Sequence, residues 1–408
     1  MIDRFYKRLT ADNYRFPIFG LIASLIVTFS LSACGVSPQV LAEQRMFLPL
    51  SIEFLGEYQL PQADYQDTRV GGLSAITYDR TNNRFYLLSD DRSQKAPARF
   101  YRASLQINDE KIKKVNLEAV TFLKDGKGET FKKGSIDPEG IAFSPRQTLF
   151  ISSEGAVKEG IAPFLAEFDL QGQLKESLLI PNRFLPDDSN QKGIQDNLGF
   201  ESLTLGITST LKDDPFRLFT ATESALIQDS PTGKRAENLR VRLLHYVIDP
   251  IGAPVLVSEQ LYVLDEPPSG ARYYGLTELL ALEKEGYFLS LERTFGLEGF
   301  GAKLFQVVNG SATDTSKIAR IPGELEALQV QPLRKKLLLD LGTLGIDLDN
   351  LEGMTLGPRL ADGSRSLILV SDDNFNPNQV NQFLLFRLKN SPAKIKNLPL
   401  GEETGDRR

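Results

Sequence analysis

In 408 residues the chain carries one cysteine, one histidine, three methionines and no tryptophan. These scarcities exclude chemistries. A lone cysteine forms no disulfide within the chain, so the fold must rest on its apolar core. A lone histidine beside a lone cysteine leaves no His/Cys zinc site to assemble. That histidine, His245 in "LLHYVID", would have to be the base of any Ser–His–Asp triad, yet the apolar residues alternating around it read as a packed strand. No G-x-S-x-G elbow and no P-loop occurs. Basic residues are outnumbered: 47 Lys and Arg face 53 Asp and Glu, a net charge of −6, which gives nucleic acid no electrostatic foothold.

Long apolar runs are scarce apart from residues 18–31. That run follows Arg4, Lys7, Arg8 and Arg15 and ends at Leu31-Ser32-Ala33-Cys34. Basic start, apolar middle and small-residue end are the layout of a secretory signal, and the last four residues look like a bacterial lipobox in which Cys34 is lipidated. A short uncleaved membrane anchor is the alternative. The expectation is a signal peptide over 1–33, an anchor and linker over 34–50, one domain over 51–395 and a polar tail over 396–408. The domain would lie in the bacterial cell envelope, outside the cytoplasm, as a monomer held to the periplasmic or outer-membrane surface by its lipid. Each buried acyl carbon would contribute roughly 0.8 kcal/mol of membrane affinity.

What the sequence has in plenty is repetition. "GLSAITYDRTNNRFYLLSDDR" (72–92), "DPEGIAFSPRQTLFISSEG" (137–155), "GFESLTLGITSTLKDDPFRLFTATES" (199–224), "GLTELLALEKEGYFLSLERTFG" (275–296) and "NLEGMTLGPRLADGSRSLILVSDDN" (350–374) share one template. An acidic residue, Ser74 in the first copy, opens an alternating apolar stretch; a polar turn follows, then an apolar run, then an acidic residue. Alternation marks a half-buried strand and the apolar run a more buried partner. The turns vary in length while the ends keep their character, which identifies an antiparallel hairpin. With the strand-like runs between them, the hairpins make units of about four strands, the blades of an all-β propeller. Five blades are read, and a sixth, degenerate one stays open. The early run "SIEFLGEYQL" (51–60) would complete the outer edge of the last blade and close the ring. A β-sandwich explains the repeats poorly.

In a hairpin the start of one strand lies beside the end of the other. Glu139 should therefore sit near Glu154, Glu201 near Glu223, Glu278 near Glu292, and Glu352 near Asp372, with Ser74 and Asp90 as a weaker pair. Because first strands line a propeller's channel, these carboxylates should gather at one mouth, with Asp91 and Asp373 at the rim. So many like charges need compensation. Arg92 and Arg293 lie within the motifs, and a hard divalent cation, Ca²⁺ above all, suits clustered carboxylates. The segment "SDDNFNPNQ" adds Asn374 and Asn376 as oxygen donors. The same acidic residues could instead accept backbone N–H groups of neighbouring blades and lock them together; the sequence leaves both roles open.

Taken in order, the five motifs resemble those of the family called esterase-like activity of phytase, or phytase-like domain, over about residues 70–388. The resemblance implies a secreted, propeller-like domain associated with phosphoester hydrolysis. β-Propeller phytases hydrolyse phosphate from inositol phosphates using several Ca²⁺ ions held by acidic residues at a channel mouth. Two functions are expected on this footing. The first is a Ca²⁺-dependent phosphoesterase acting on a small phosphorylated anion. Its metal ligands would come from Asp90, Glu139, Glu154, Glu201, Glu223, Glu292, Glu352, Asp372 and Asp373, and its catalytic groups would be Glu352, Asp372, Arg293 and Arg92. The alternative is a non-catalytic envelope propeller that binds a ligand or protein partner.

Overall fold

The computed structural model describes residues 46–108, 111–187, 189, 191–206, 211–230, 239–321, 325 and 328–390. The expected signal, Cys34 and the polar tail lie outside the described residues. Within them the regular elements are strands, apart from three 3₁₀ turns. No helix there is long and apolar enough to cross a membrane.

Twenty of the strands form five four-stranded antiparallel sheets. Blade 1 comprises β4 (Ala75–Asp79), β5 (Arg84–Ser89), β6 (Arg99–Ile107) and β7 (Ile112–Phe122). Blade 2 comprises β8 (Pro138–Phe143), β9 (Leu149–Ser153), β10 (Phe164–Phe168) and β11 (Leu174–Ser177). Blade 3 comprises β12 (Phe200–Gly206), β13 (Phe216–Thr222), β14 (Arg240–Ile248) and β15 (Val255–Val263). Blade 4 comprises β16 (Ala271–Ala281), β17 (Tyr287–Gly296), β18 (Gly299–Val308) and β19 (Arg334–Asp340). Blade 5 takes β20 (Asn350–Arg359), β21 (Arg365–Asp372) and β22 (Asn381–Asn390) from one end of the domain and β1 (Leu50–Leu60) from the other. A two-residue ribbon, β2 (Asp64–Tyr65) with β3 (Thr68–Arg69), precedes blade 1. This is the five-bladed reading of the repeats, and no sixth sheet of four strands exists among the described residues.

The ring closes as the sequence suggested. β1 runs antiparallel to β22 from Leu50 opposite Asn390 to Leu60 opposite Asn381, with one bulge between Phe54 and Gly56. The inner strands β4, β8, β12, β16 and β20 each touch the next, and β20 returns to β4.

The core lies between blades rather than at a single centre. Leu88, Phe100 and Tyr86 of blade 1 pack on Ile141, Ile151 and Phe168 of blade 2, while Leu87, Phe85 and Tyr101 turn the other way onto Ile368, Val370 and Phe383 of blade 5. Corresponding clusters join blades 2 and 3, 3 and 4, and 4 and 5. A strand in the middle of a blade is thus buried on both faces, which is why "FYLL" and "LILV" are continuous apolar runs rather than alternating ones. Each fully buried Leu or Phe contributes about 1.5–3 kcal/mol.

The inner strands approach so closely that in four of the five blades a small residue (Ala75, Gly140, Ser202 or Gly353) follows the first template position. A Cβ on Gly353 would lie 2.9 Å from the Cα of Ala75 and 2.7 Å from a Val370 methyl; one on Gly140 would lie 2.6 Å from the Glu201 carbonyl oxygen. Gly353→Ala is therefore expected to destabilise the protein by ~1–3 kcal/mol through overpacking. An unstrained Gly→Ala change would instead stabilise by restricting the unfolded chain. Urea unfolding reads the sign, and a rise in stability would contradict the close approach.

Candidate functional site

Register brings the acidic residues to one end of the ring, and a local irregularity aims them. In blade 5, Asn350 pairs with Asp372, Leu351 with Ser371 and Gly353 with Val370, so Glu352 is left over as a bulge. Glu201 is left over in the same way between Phe200 and Ser202, and Glu139 and Gly140 between Pro138 and Ile141. A bulge rotates the extra residue out of the ladder and redirects its side chain. Glu139, Glu201 and Glu352, from three different blades, accordingly sit at the channel with only 9%, 8% and 7% of their surface exposed. Blade 4 departs from the rule. There the residue left over is Thr277, and the Glu278 carboxylate accepts the backbone N–H groups of Leu203 at 3.2 Å and of its own neighbour Leu279 at 2.9 Å.

Two guanidinium groups divide the ring between them. Arg293 of blade 4 reaches Glu223 of blade 3 at 2.7 Å and Glu352 of blade 5 at 2.6 Å, and also donates to the Asn350 side chain. Arg92 of blade 1 lies 2.5 Å from Asp137 of blade 2 and donates to Asn197, just ahead of blade 3, at 2.6 Å. Arg293 is almost enclosed by its partners, whereas about a third of the Arg92 side chain faces solvent (14% and 35% exposed).

Around these two cations the carboxylates form a continuous belt. Burial, then the charges of Glu352, Asp137 and Asp91, push Asp90 well above the usual carboxylate range. Burial and the neighbouring acids raise Glu139, Glu154, Glu201 and Asp372 in the same way, and Asp137 less strongly because Arg92 opposes the rise. For Glu278 burial alone drives the rise, against backbone donors. Glu352 is pushed up to about 7, again chiefly by burial, with Arg293 pulling the other way.

Asp137, Glu139 and Glu154 each offer an oxygen, all within 4.8 Å of one another. Beside them Asp90 Oδ1 is buried with no hydrogen-bond partner. Asp137 Oδ2 also lacks a hydrogen bond of good direction, although it contacts Arg92; the short distance makes the ion pair the better description. Convergent hard oxygens, with the unpartnered Asp90 oxygen beside them, fit a divalent cation of the Ca²⁺ type.

Not every acidic residue expected at the rim reaches it. Asp91 turns away to accept the backbone N–H groups of Gln94, Lys95 and Ala96 and pairs with buried Arg99 at 2.8 Å. Asp373 accepts from Gly72 N, Phe375 N and the Asn381 amide, fastening blade 5 to the start of blade 1. Glu292 faces away from the axis because it is the strand neighbour of Arg293, which points inward. It pairs with Lys335 at 2.5 Å and accepts from the Tyr262 hydroxyl and Asp265 N, so it does not meet Glu278. Asn374 and Asn376 belong to the loop after β21, where Asn374 N donates to Asp372. His245 stacks on Phe219 and contacts Arg217 and Ser258; burial brings it down to about 4, which suits its reading as a packed strand residue.

Sequence reasoning passed over Asp137, Asn350 and Asn197. For the first two a signal existed: each stands two residues before a bulge glutamate, on the same face of the strand by the period of two. Asn197 carries no comparable mark, because its place beside Arg92 is set by the fold of the loop before β12.

With this geometry in view, the comparisons with known proteins are informative for family and silent for reaction. The family model described as Phytase-like, esterase-like activity of phytase, matches residues 68–375. The chain belongs to this family. No curated protein matches it. Among solved structures it is similar to the catalytic domain of a Coprinopsis cinerea GH62 α-L-arabinofuranosidase (10% identity, TM-score 0.39, covering 83% of this chain and 97% of that one). It is also similar to a thermostable family-43 glycoside hydrolase (9% identity, TM-score 0.42, covering 82% and 97%). Likenesses this distant do not bear on activity.

The raised carboxylates make a signed prediction for metal-free protein. An acid with a folded value above its unfolded value binds more protons in the native state, so stability falls as pH rises between the two. For Glu352 that window runs from the ordinary 4.5 to about 7, a loss on the order of 3 kcal/mol. Chelator-treated protein should therefore unfold at lower urea at pH 7.5 than at pH 5, by roughly this amount or more as the rest of the belt ionises. A flat profile would mean that the belt is already compensated.

Proposed function

We propose that this chain is a divalent-cation-dependent phosphoesterase whose centre is the carboxylate mouth of the propeller. The observation that carries the reading is the convergence of Asp137, Glu139 and Glu154 beside the unpartnered Asp90 oxygen, with the partly exposed Arg92 adjoining them. A hard cation held there would neutralise phosphoryl charge and lower the proton affinity of water. Arg92 is the cation with surface to spare, and it would orient a phosphate oxygen as a planar donor fork does. Arg293 is saturated by Glu223, Glu352 and Asn350, so its part is to position Glu352. A carboxyl near 7 exchanges protons readily at neutral pH, which suits Glu352 to general acid–base work. Asp372, raised by burial and then by Asp90 and Glu352, adjoins it. In this reading Ca²⁺ is the resident ion, a small phosphorylated anion the substrate, and lipidated Cys34 the tether of a monomer to the cell envelope.

A second reading, a non-catalytic propeller that binds a ligand or partner, has its own support. Three acidic groups accept backbone N–H from a neighbouring blade: Glu154 from Gly199 at 2.8 Å, Glu278 from Leu203 and Asp373 from Gly72. Those carboxylates lock blades.

Titrating Ca²⁺ calorimetrically into chelator-stripped protein separates the two readings when the same sample is then assayed on p-nitrophenyl phosphate and inositol hexakisphosphate. The phosphoesterase should bind Ca²⁺ with release of protons and hydrolyse at least one ester only when Ca²⁺ is present. Glu139→Gln should weaken the ion at least tenfold, and Glu352→Gln should lower kcat by ~100-fold while leaving Ca²⁺ affinity within a few-fold. Binding without turnover, or neither, leaves the second reading standing.

A further inference from the structure

A cavity of ≈1400 Å³ opens at the other mouth, where the inner strands end. Its lining repeats from blade to blade. Two residues after the acidic position stand Ile76, Ile141, Leu203, Leu280 and Met354, all lining the cavity; four of the five are buried. At ~3.3 Å per residue this apolar ring lies about 7 Å beyond the carboxylate belt and separates the two mouths. Further out, Tyr78, Phe143, Leu205, Leu282 and Leu356 widen the apolar wall.

The rim is of opposite charge to the first mouth. The lining carries Arg80, Arg146, Lys212, Arg359 and Arg365 against Asp79 and Glu283, with Glu167 next to Arg146, on a chain whose net charge is −6. Two of these guanidinium groups are incompletely used. Arg365 pairs with Glu283 through Nη2, but its Nε is buried without a partner. Arg146 lies 4.0 Å from Glu167 and over the Phe216 ring, and its Nη2 is buried without a partner. A buried N–H with nothing to donate to calls for an acceptor. Planar guanidinium groups of this kind match phosphate and carboxylate.

We propose that this mouth is a binding site for an amphiphilic organic anion, its phosphate or carboxylate held by the arginine rim to which Arg146 and Arg365 belong and its hydrocarbon or ring body against the apolar wall. The site is independent of the carboxylate centre: it shares the inner strands but no side chain with it. An apolar pocket with a few convergent polar groups is the usual form of a small-molecule site.

Decyl phosphate below its aggregation threshold, decanol and inorganic phosphate are the probes, titrated calorimetrically into the full protein. Decyl phosphate should bind one to one, and each of the others at least tenfold more weakly. The double variant Arg146→Gln/Arg365→Gln should lose at least tenfold for decyl phosphate while its melting temperature and Ca²⁺ titration match those of the parent. Should the double variant fail to fold, Arg146→Gln alone, at a partly exposed position, is expected to lose severalfold. No binding by the parent overturns the proposal. So does equal affinity for decanol, which would leave the arginines no role, or equal affinity for inorganic phosphate, which would leave the apolar wall none.

Discussion

Everything at the axis depends on the pairing of β1 with β22. The inner strands converge only in a closed ring, and in this chain closure is made by hydrogen bonds between the two ends of the domain, ten opposed residue pairs from Leu50 to Leu60. Without that ladder β22 would expose a free edge, and β20 would have no fixed place beside β4. Glu352 enters the belt from β20 and Asp90 from the end of β5, so the acidic neighbourhood these two share exists only when the last blade meets the first. Closure is thus a condition for the site as much as for stability.

The closed ring then has to accommodate charges that repel. Three devices do so. Arg92 and Arg293 each bridge successive blades, the first from blade 1 towards blade 3, the second from blade 3 to blade 5. Backbone N–H groups at Gly72, Gly199 and Leu203 take up further carboxylates. Burial and neighbouring charge raise the proton affinity of the remainder. A buried carboxylate that is neither paired nor protonated is too costly to persist, so a cation that replaces protons there would stabilise the fold and complete the centre together. The opposite mouth, five cations against two acids over an apolar wall, gives the propeller an electrical polarity along its axis that the net charge conceals.

Much of this was legible in the chain. The five hairpins gave five blades and left a sixth open, the alternation of "EGIAF" against the run "LFI" separated inner strand from enclosed neighbour, and the isolated strand at 51–60 pointed to the closure. These are local patterns, and local patterns survive translation into strands because burial on one face or two dictates them. The gathering of Glu139, Glu201 and Glu352 followed from hairpin geometry together with the place of first strands around a propeller's channel. Membership of the phytase-like family agrees with that reading.

What the sequence could not decide is where each carboxylate points and what it touches. Glu278 and Glu352 occupy the same place in the template, yet a one-residue difference in where the bulge falls sends one to the backbone of a neighbouring blade and the other to Arg293. Asp91 and Asp373 looked like additions to the rim and instead serve loops and blade junctions. Glu292 is set outside simply because Arg293 beside it faces in. The repeat determined that acidic residues meet at one mouth; ladder register and the approach of one blade to the next decided which of them remain available to a cation. The reason is range. A strand's pattern is written within about six residues, whereas some side-chain partners here stand more than three hundred residues apart, Gly72 and Asp373 among them.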